Sequence, residues 1–250
     1  MTRVVAWFSC GVTSAAAAKL ALGTYGHERV RIAYCDTNSE HPDNKRFLAK
    51  CSEWFGHPIE TIRSEQYEDI WDVFRKTRYL AGVGGARCTA ELKKRPRFAF
   101  QQIDDIQVFG FDASEGKRIE RFRANNPEIT LVTPLYDAGI SKVEAAQMVM
   151  GAGIELPMMY RLGYRNNNCV GCPKGQSGYW NKIRVDFPDV FERMSKVERE
   201  LNVAINKSYA GDGLRKRVFL DELDPAAGRY ETEPELECGL SCGTGAEESE

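Results

Sequence analysis

Short apolar runs alternate with segments of helical character along the first 150 residues. Strands are predicted where an apolar run ends at a glycine or a polar loop, in "VVAWFS", "VRIAYCDTN", "HPIETIRS" and "IQVFGFDAS". Helices are predicted between and after them, in "TSAAAAKLAL", "HPDNKRFLAKCSEWFG", "YEDIWDVFRKTRYL", "GKRIERFRANN" and "SKVEAAQMVMGAG". Ser141 and Glu144 give the last of these helices a capping box. The alternation predicts an α/β fold with a parallel sheet.

Charge divides the chain into a basic body and an acidic end. Residues 221–250 hold ten acidic residues and one basic residue, which leaves 33 basic against 26 acidic residues in 1–220. We therefore predict an α/β domain at 1–220 and an acidic, mobile C-terminal tail at 221–250 that carries Cys238 and Cys242. A positive body suits an anionic ligand or nucleic acid, and an ordinary charged surface explains the charge equally well.

No apolar run in the sequence is long enough to span a bilayer. The short apolar run near the N-terminus leads into Gly11–Ser14, which is better explained as a turn after a buried strand than as part of a signal peptide. We expect a cytoplasmic protein without a membrane partner. Eight cysteines in such a protein favour chemistry or metal binding over a disulfide framework.

Ligands of parallel α/β sheets bind at the carboxyl ends of the strands. There the loop "SCGVTSA" offers backbone N–H groups, hydroxyls and a helix N-terminus, which together can hold an anion. Its candidate binding residues are Ser9, Gly11, Thr13 and Ser14. The loop lacks the spacing of a Walker motif, and a plain strand-to-helix turn is an equally good interpretation.

Two further strand ends carry charged candidates. Asp36 follows the second strand, where a carboxylate can hold a ribose or a base amino group, or can cap the next helix. Gly110 ends a later strand, and Arg118 and Arg121 follow it one helical turn apart. Such an arginine pair can bind phosphate or sulfate oxygens, and it can also belong to a solvated basic face.

Cys169 and Cys172 form a C-x-x-C pair, a pattern that serves zinc sites, iron–sulfur sites and redox dithiols. Their Asn-rich and Gly-rich flanks favour a loop wrapped around a metal over a dithiol at a helix N-terminus. Cys88 lies in a second glycine-rich turn. Cys35 and Cys51 are interpreted as small buried apolar residues.

Seven blocks of this sequence resemble, in the same order, motifs of the phosphoadenosine-phosphosulfate (PAPS) reductase family. They are "SCGVTSAAAAKL", "CDTNSEHPDN", "RCTAELKKRP", "GFDASEGKRIER", "LVTPLYDAGISKVEAAQMV", "GYRNNNCVGCPKG" and "LECGLSC". The covered span runs from about Val4 to Cys242. The resemblance implies the Rossmann-like, PP-loop type fold of the adenine nucleotide α-hydrolase-like superfamily. It also implies that Lys93 lies near the substrate.

The resemblance pairs Cys88 with Cys169 and Cys172 as the ligands of a [4Fe–4S] cluster. Members that carry the cluster have two adjacent cysteines where this chain has Cys88 and Thr89, so three cysteines match a pattern of four. Three interpretations follow. One iron is open to solvent or substrate, or a C-terminal cysteine is the fourth ligand, or the cysteines hold zinc or no metal.

The resemblance gives Cys238 the role of nucleophile. In the family this cysteine attacks the sulfonate sulfur and forms an S-sulfonate, from which a thiol of thioredoxin or glutaredoxin releases sulfite. The histidine that usually follows the E-C-G-L motif is Ser241 in this chain. Cys242 adds a second thiol, which can resolve the intermediate internally as a disulfide with Cys238.

Three functions follow from these observations. The leading hypothesis is a thiol-dependent reductase of PAPS or adenylyl sulfate. The second is an ATP-dependent sulfurtransferase with a three-cysteine cluster, acting on a small molecule or nucleic acid and including the DNA phosphorothioation type. The third is a non-catalytic nucleotide- or metal-binding subunit. Thr13 stands where ATP-dependent sulfurtransferases usually carry an aspartate, which weakens the second hypothesis. The sequence leaves a homo-oligomer open.

Overall fold

The architecture is known from a computed structural model that describes residues 2–82, 84–209, 215–233 and 236. In chain order the strands of these residues are β1 (Val4–Phe8), β2 (Val30–Cys35), β3 (Ile59–Ile62), β4 (Ala81–Gly82), β5 (Gly85–Ala86), β6 (Ile106–Val108), β7 (Thr130–Val132), β8 (Asn206–Tyr209) and β9 (Arg215–Val218). Five of them form a parallel sheet in the order β3-β2-β1-β6-β7. The predicted parallel α/β fold is confirmed.

Helices lie between and after these strands. They are α1 (Val12–Tyr25), α2 (Asn44–Phe55), α3 (Ile70–Thr77), α4 (Arg87–Thr89), α5 (Arg95–Phe100), α6 (Gly116–Asn125), α7 (Pro134–Asp137), α8 (Lys142–Gly151), α9 (Met158–Arg161), α10 (Ser177–Asp186) and α11 (Pro188–Leu201). A π-helical turn, Ala90–Lys94, joins α4 to α5. The predicted capping box of α8 is confirmed, with Ser141 and Glu144 bonding each other's backbone N–H. None of the helices in the described part of the chain is long and apolar enough to cross a membrane.

Strand β1 is buried on both faces, which explains its unbroken apolar sequence. Val4, Ala6 and Phe8 pack with α1 and α2 on one face of the sheet. Val5 and Trp7 pack on the other face, with aromatic residues that include Phe122 of α6. The pairing of β1 with β2 and β6 places its carboxyl end in the middle of the sheet edge.

A third apolar cluster lies away from the sheet and is built mainly from irregular segments and the last two long helices. Trp71 of α3, Trp180 of α10 and Val197 of α11 contribute to it. Its members also include Cys88, Cys169 and Cys172. We call it the cysteine cluster.

Part of the predicted C-terminal tail packs onto the domain. Leu220 and Leu223 are buried in the cysteine cluster, and residues 224–233 follow across the start of α10. The predicted domain boundary at residue 220 stays a prediction. Cys238 and Cys242 lie outside the described residues.

Candidate functional site

A cleft of about 490 Å³ opens at the carboxyl ends of β1 and β6. The chain runs outward from β1 to β3 on one side and resumes at β6 on the other, so the cleft lies where the strand order reverses. Ligands of doubly wound sheets bind at this switch point. The lining includes seven of the nucleotide-binding residues predicted from the sequence, namely Ser9, Gly11, Thr13, Ser14, Lys93, Gly110 and Arg118.

The loop between β1 and α1 is shaped by the hydroxyl of Ser14. This hydroxyl accepts a hydrogen bond from Ser9 N at 3.0 Å and donates one to Gly11 O at 2.9 Å. Gly11 caps α1 without a side-chain hydrogen bond, so the first N–H groups of the helix face the cleft without a capping oxygen. We call residues 9–14 the anion cradle, because such N–H groups favour a bound phosphate or sulfate.

Cys10 turns the cradle through a left-handed backbone conformation, with φ of 55°. This conformation is unfavourable for a residue with a Cβ atom, so other contacts must hold it. The amide of Asn167 donates to Cys10 O at 2.7 Å and to Asn44 Oδ1 at 2.8 Å. The loop that leads to the C-x-x-C pair therefore fixes the shape of the cradle.

Gly110 meets the cradle backbone from the neighbouring strand. A Cβ atom at this position would lie 2.7 Å from Ser14 N and from Thr13 O. Only glycine allows the two loops to approach this closely without moving the cradle. The prediction of Gly110 as a site residue thus has a steric basis.

Charged side chains of both signs line the cleft beyond the cradle. The cations are Lys93, Arg118 and Lys142, and the carboxylates are Asp112 and Glu115. Arg118 forms an ion pair with Glu115 and lies over the ring of Phe111. The Lys142 ammonium donates to Asn166 Oδ1 at 2.8 Å. These contacts hold two of the cations in place at the opening of the cleft.

The other two predicted nucleotide-binding residues, Asp36 and Arg121, lie apart from this lining. Asp36 forms an ion pair with Arg63 at 2.6 Å and accepts a hydrogen bond from Asn38 N, which makes it a loop-ordering residue in this structure. Arg121 is exposed on α6, whereas Arg118 on the same helix lines the cleft. Their roles in nucleotide binding stay predictions.

Lys93 connects the cleft with the cysteine cluster. Its ammonium lies 3.7 Å from the carboxylate of Glu40, and both side chains are less than a tenth exposed. The sulfur of Cys169 lies 3.9 Å from the same carboxylate and 3.1 Å from Thr37 Oγ1. A buried network of lysine, carboxylate, thiol and hydroxyl therefore forms the wall between the two regions.

The predicted metal ligands Cys88, Cys169 and Cys172 are all buried, and all belong to the cysteine cluster. Within the ranges that the structure describes, no three or more His, Cys, Asp or Glu residues are grouped so that they could hold a metal ion. The thiol chemistry suits an iron–sulfur cluster, and cluster binding by these three cysteines stays a prediction.

The C-x-x-C loop is held by a buried tyrosine. Tyr179 Oη accepts hydrogen bonds from Gly171 N at 3.1 Å and Cys172 N at 2.9 Å. Burial raises the pKa of this phenol well above its ordinary value, so it stays neutral. Gly171 adopts φ of 81°, which a residue with a side chain rarely does. Tyr179 thus determines the course of the loop between the two cysteines.

Burial also decides the state of the remaining described cysteines. It raises the pKa of Cys35 and of Cys51 to about 12, so both are thiols at neutral pH. This agrees with their interpretation as small apolar residues. The pKa of Cys10 is raised for the same reason. We therefore assign no nucleophilic role to these three.

Leu236 brings the C-terminal segment to the cleft. Its side chain belongs to the cleft lining, and its carbonyl oxygen accepts a hydrogen bond from Asn168 Nδ2 at 3.2 Å. In the sequence, Leu236 precedes the predicted nucleophile Cys238 by two residues.

No protein-family model matches the sequence, and no curated protein matches it either. The structure is similar to the crystal structure of a PAPS reductase from Candida auris in complex with phosphate. The TM-score is 0.49 and the sequence identity 11%, over 68% of this chain and 82% of that one.

Several residues of the site were not predicted from the sequence. They are Trp7, Asp112, Ser114, Glu115, Lys142, Tyr160 and the asparagines 166–168. The run of three asparagines was the available signal, because amide side chains in series are unusual unless they bind backbone or ligand. The others reach the cleft through tertiary packing.

Proposed function

We propose that the protein is a thiol-dependent reductase of an adenylyl sulfonucleotide, either PAPS or adenylyl sulfate. The nucleotide occupies the cleft at the strand switch point, with its phosphate and sulfate oxygens at the anion cradle. Lys93, Arg118 and Lys142 supply positive charge to this anion. The position of Leu236 is the observation that supports the proposal most directly.

Leu236 matters because it limits where the nucleophile can be. Successive Cα atoms are about 3.8 Å apart, so two peptide units join the cleft lining to Cys238. The thiolate of Cys238 attacks the sulfonate sulfur, and the bond from that sulfur to the phosphate oxygen breaks. The nucleotide leaves with the bonding electron pair, and the sulfonate stays on Cys238.

A second thiol then completes the reduction. Cys242, or a thiol of thioredoxin or glutaredoxin, attacks the sulfur of Cys238 and releases sulfite. The product is a disulfide, which a reduced thioredoxin or glutaredoxin dithiol converts back to two thiols. Two electrons pass from the dithiol to the sulfur, so each turnover consumes one dithiol and yields one sulfite.

The test uses the full chain, purified anaerobically and supplied with PAPS, adenylyl sulfate or ATP together with reduced thioredoxin. We expect sulfite from one of the sulfonucleotides and none from Cys238→Ser. Ser241→Ala is the matched control, since it changes a neighbouring residue without removing a thiol. Sulfite from Cys238→Ser would reject this nucleophile. Pyrophosphate from ATP without any sulfite would indicate the sulfurtransferase instead.

A [4Fe–4S] cluster on Cys88, Cys169 and Cys172 is a separate proposal. Its support is the chemistry of three buried thiols in one apolar cluster. We expect about four iron and four sulfide per chain after anaerobic purification, and a colourless, iron-free protein would reject it.

A further inference from the structure

The C-terminal segment crosses the start of α10 in backbone contact. A Cβ atom on Gly178 would lie 2.5 Å from Tyr230 N, and one on Gly228 would lie 2.5 Å from Gly178 N. Gly228 also adopts φ of 76°. A glycine on each of the two segments is therefore needed for this approach, and a side chain at either position would separate the C-terminal segment from the helix.

The carboxylate of Glu233 joins the C-terminal segment to α10 at the same point. Glu233 Oε1 accepts a hydrogen bond from Gly178 N at 2.6 Å, and Oε2 accepts one from Tyr179 N at 3.1 Å. These N–H groups belong to the first turn of α10, where no intrahelical carbonyl is available. The local cap residue, Gln176, makes no side-chain hydrogen bond to the helix. Glu233 thus supplies the cap of α10 from 55 residues away.

Other bonds hold the segment on the N-terminal side of Glu233. Asn181 donates to Ala227 O at 2.8 Å and to Asp224 O at 2.9 Å. Arg165 N donates to Tyr230 Oη at 2.9 Å, and its guanidinium donates to Tyr230 O. The segment is therefore bound to α10 and to the loop before the C-x-x-C pair.

The first turn of α10 also reaches the cysteine loop. The backbone N–H of Tyr179 donates a hydrogen bond to the Glu233 carboxylate. Its phenol oxygen accepts hydrogen bonds from the N–H groups of Gly171 and Cys172. One residue thus connects the C-terminal segment with the C-x-x-C loop. Three positions after Glu233, Leu236 lies in the cleft lining.

We infer that Glu233 is a positioning residue, which anchors the C-terminal segment to the first turn of α10 and so holds residue 236 at the cleft. The inference rests on the proposed function for its catalytic consequence. The anchor determines the distance from which Cys238 approaches the sulfonate. It also ties that approach to the C-x-x-C loop through Tyr179, so a change in either element alters the other.

Amide hydrogen exchange tests the anchor without any assay of activity. The full chain is compared as wild type, Glu233→Gln and Glu233→Ala. We expect the Gly178 and Tyr179 amides to exchange roughly tenfold faster in Glu233→Ala, as for a lost helix cap. Glu233→Gln should be intermediate, because it keeps one acceptor oxygen.

Glu231→Ala is the matched control, because Glu231 is an exposed carboxylate of the same segment. It should leave the exchange at Gly178 and Tyr179 unchanged. Equal exchange in wild type and Glu233→Ala would overturn the anchor, and so would an equal increase in Glu231→Ala.

Kinetics of sulfite release tests the positioning role. We expect Glu233→Ala to lower kcat roughly tenfold while KM for the sulfonucleotide changes less than twofold, since the cradle is intact. An unchanged kcat would overturn the role. If the wild-type chain releases no sulfite, the proposed function fails, whereas the exchange rates still decide whether Glu233 is the anchor.

Discussion

The anion cradle lines the cleft and the cysteine cluster lies beside it, behind Lys93 and Glu40, and the two regions are built in different ways. The cradle is contained in residues 9–14, and its internal bonds join Ser9, Gly11 and Ser14. The cysteine cluster joins segments far apart in the chain. Cys169 meets Thr37 across 132 positions, and Glu233 meets Gly178 across 55.

This difference shows what a short motif can encode. A strand followed by a tight turn and a helix presents N–H groups at the start of the helix, and the distant Asn167 only steadies the turn at Cys10. Thiols in irregular loops have no such local frame. Their positions depend on single side chains such as Tyr179, which are supplied by other segments. Substitutions at the anion cradle should therefore act mainly on binding, and substitutions in the cysteine cluster mainly on stability.

The largest effect on stability is expected in the cysteine cluster, from Tyr179→Phe. The substitution leaves the N–H groups of Gly171 and Cys172 without their acceptor in a buried site. We expect a loss of about 2 to 4 kcal/mol in the free energy of unfolding, measured by urea denaturation. Tyr136→Phe is the control, because Tyr136 is 40% exposed. Equal stability of the two variants would contradict the role given to Tyr179.

At the anion cradle, Gly110→Ala should weaken nucleotide binding. The added methyl group cannot fit 2.7 Å from the cradle backbone, so the cradle must shift. We expect roughly hundredfold weaker binding of adenosine 3′,5′-bisphosphate by calorimetry, the change of about 3 kcal/mol typical of overpacking at a well-packed contact.

Gly23→Ala is the matched control for Gly110→Ala. Gly23 lies in α1 with no atom within 4 Å of an added Cβ, and alanine is the better helix former by about 1 kcal/mol. The control should bind as wild type and unfold at a slightly higher temperature. Wild-type affinity in Gly110→Ala would show that the close approach is not needed for binding.

Glu198, a buried carboxylate of α11, should make the free energy of unfolding depend on pH. Burial raises the pKa of this carboxyl to about 7, although it accepts hydrogen bonds from Ile205 N and Leu220 N. The folded state therefore binds the proton more tightly than the unfolded chain does. Stability should fall as the pH rises from about 4.5 to about 7, by an amount of the order of 2 kcal/mol.

Thermal unfolding between pH 4.5 and pH 8 measures this dependence. Glu198→Gln should flatten the profile in that window, because glutamine does not titrate. Glu200→Gln changes an exposed carboxylate two positions away on α11 and should keep the wild-type profile. Identical profiles for both variants would exclude Glu198 as the source.

The smallest effect distinguishes two arginines that the sequence made equivalent. Arg118→Ala should weaken nucleotide binding about tenfold, the value of one charge-assisted contact of about 1.4 kcal/mol. Arg121→Ala should change it less than twofold, since Arg121 is exposed on the same helix. Calorimetry with the same bisphosphate measures both. Equal losses would restore the arginine pair predicted from the sequence.

Some elements were missed where the pattern was present. Val190, Met194, Val197 and Leu201 recur at helical spacing in α11, and all four lie in or against the cysteine cluster. Strand β7, Thr130–Val132, was also missed. The arginines of α6 differ for another reason. Sequence spacing puts Arg118 and Arg121 on one face, but only the packing of α6 decides which of them faces the cleft.

The sequence by itself determined the parallel α/β fold and the cradle of residues 9–14, because both depend on short-range order along the chain. Only the tertiary structure decided which charges line the cleft and how the C-terminal segment reaches it. It placed Asp36 against Arg63, and it joined Glu233 to α10 through backbone contact at two glycines. Such contacts arise between distant segments, and no local pattern specifies them.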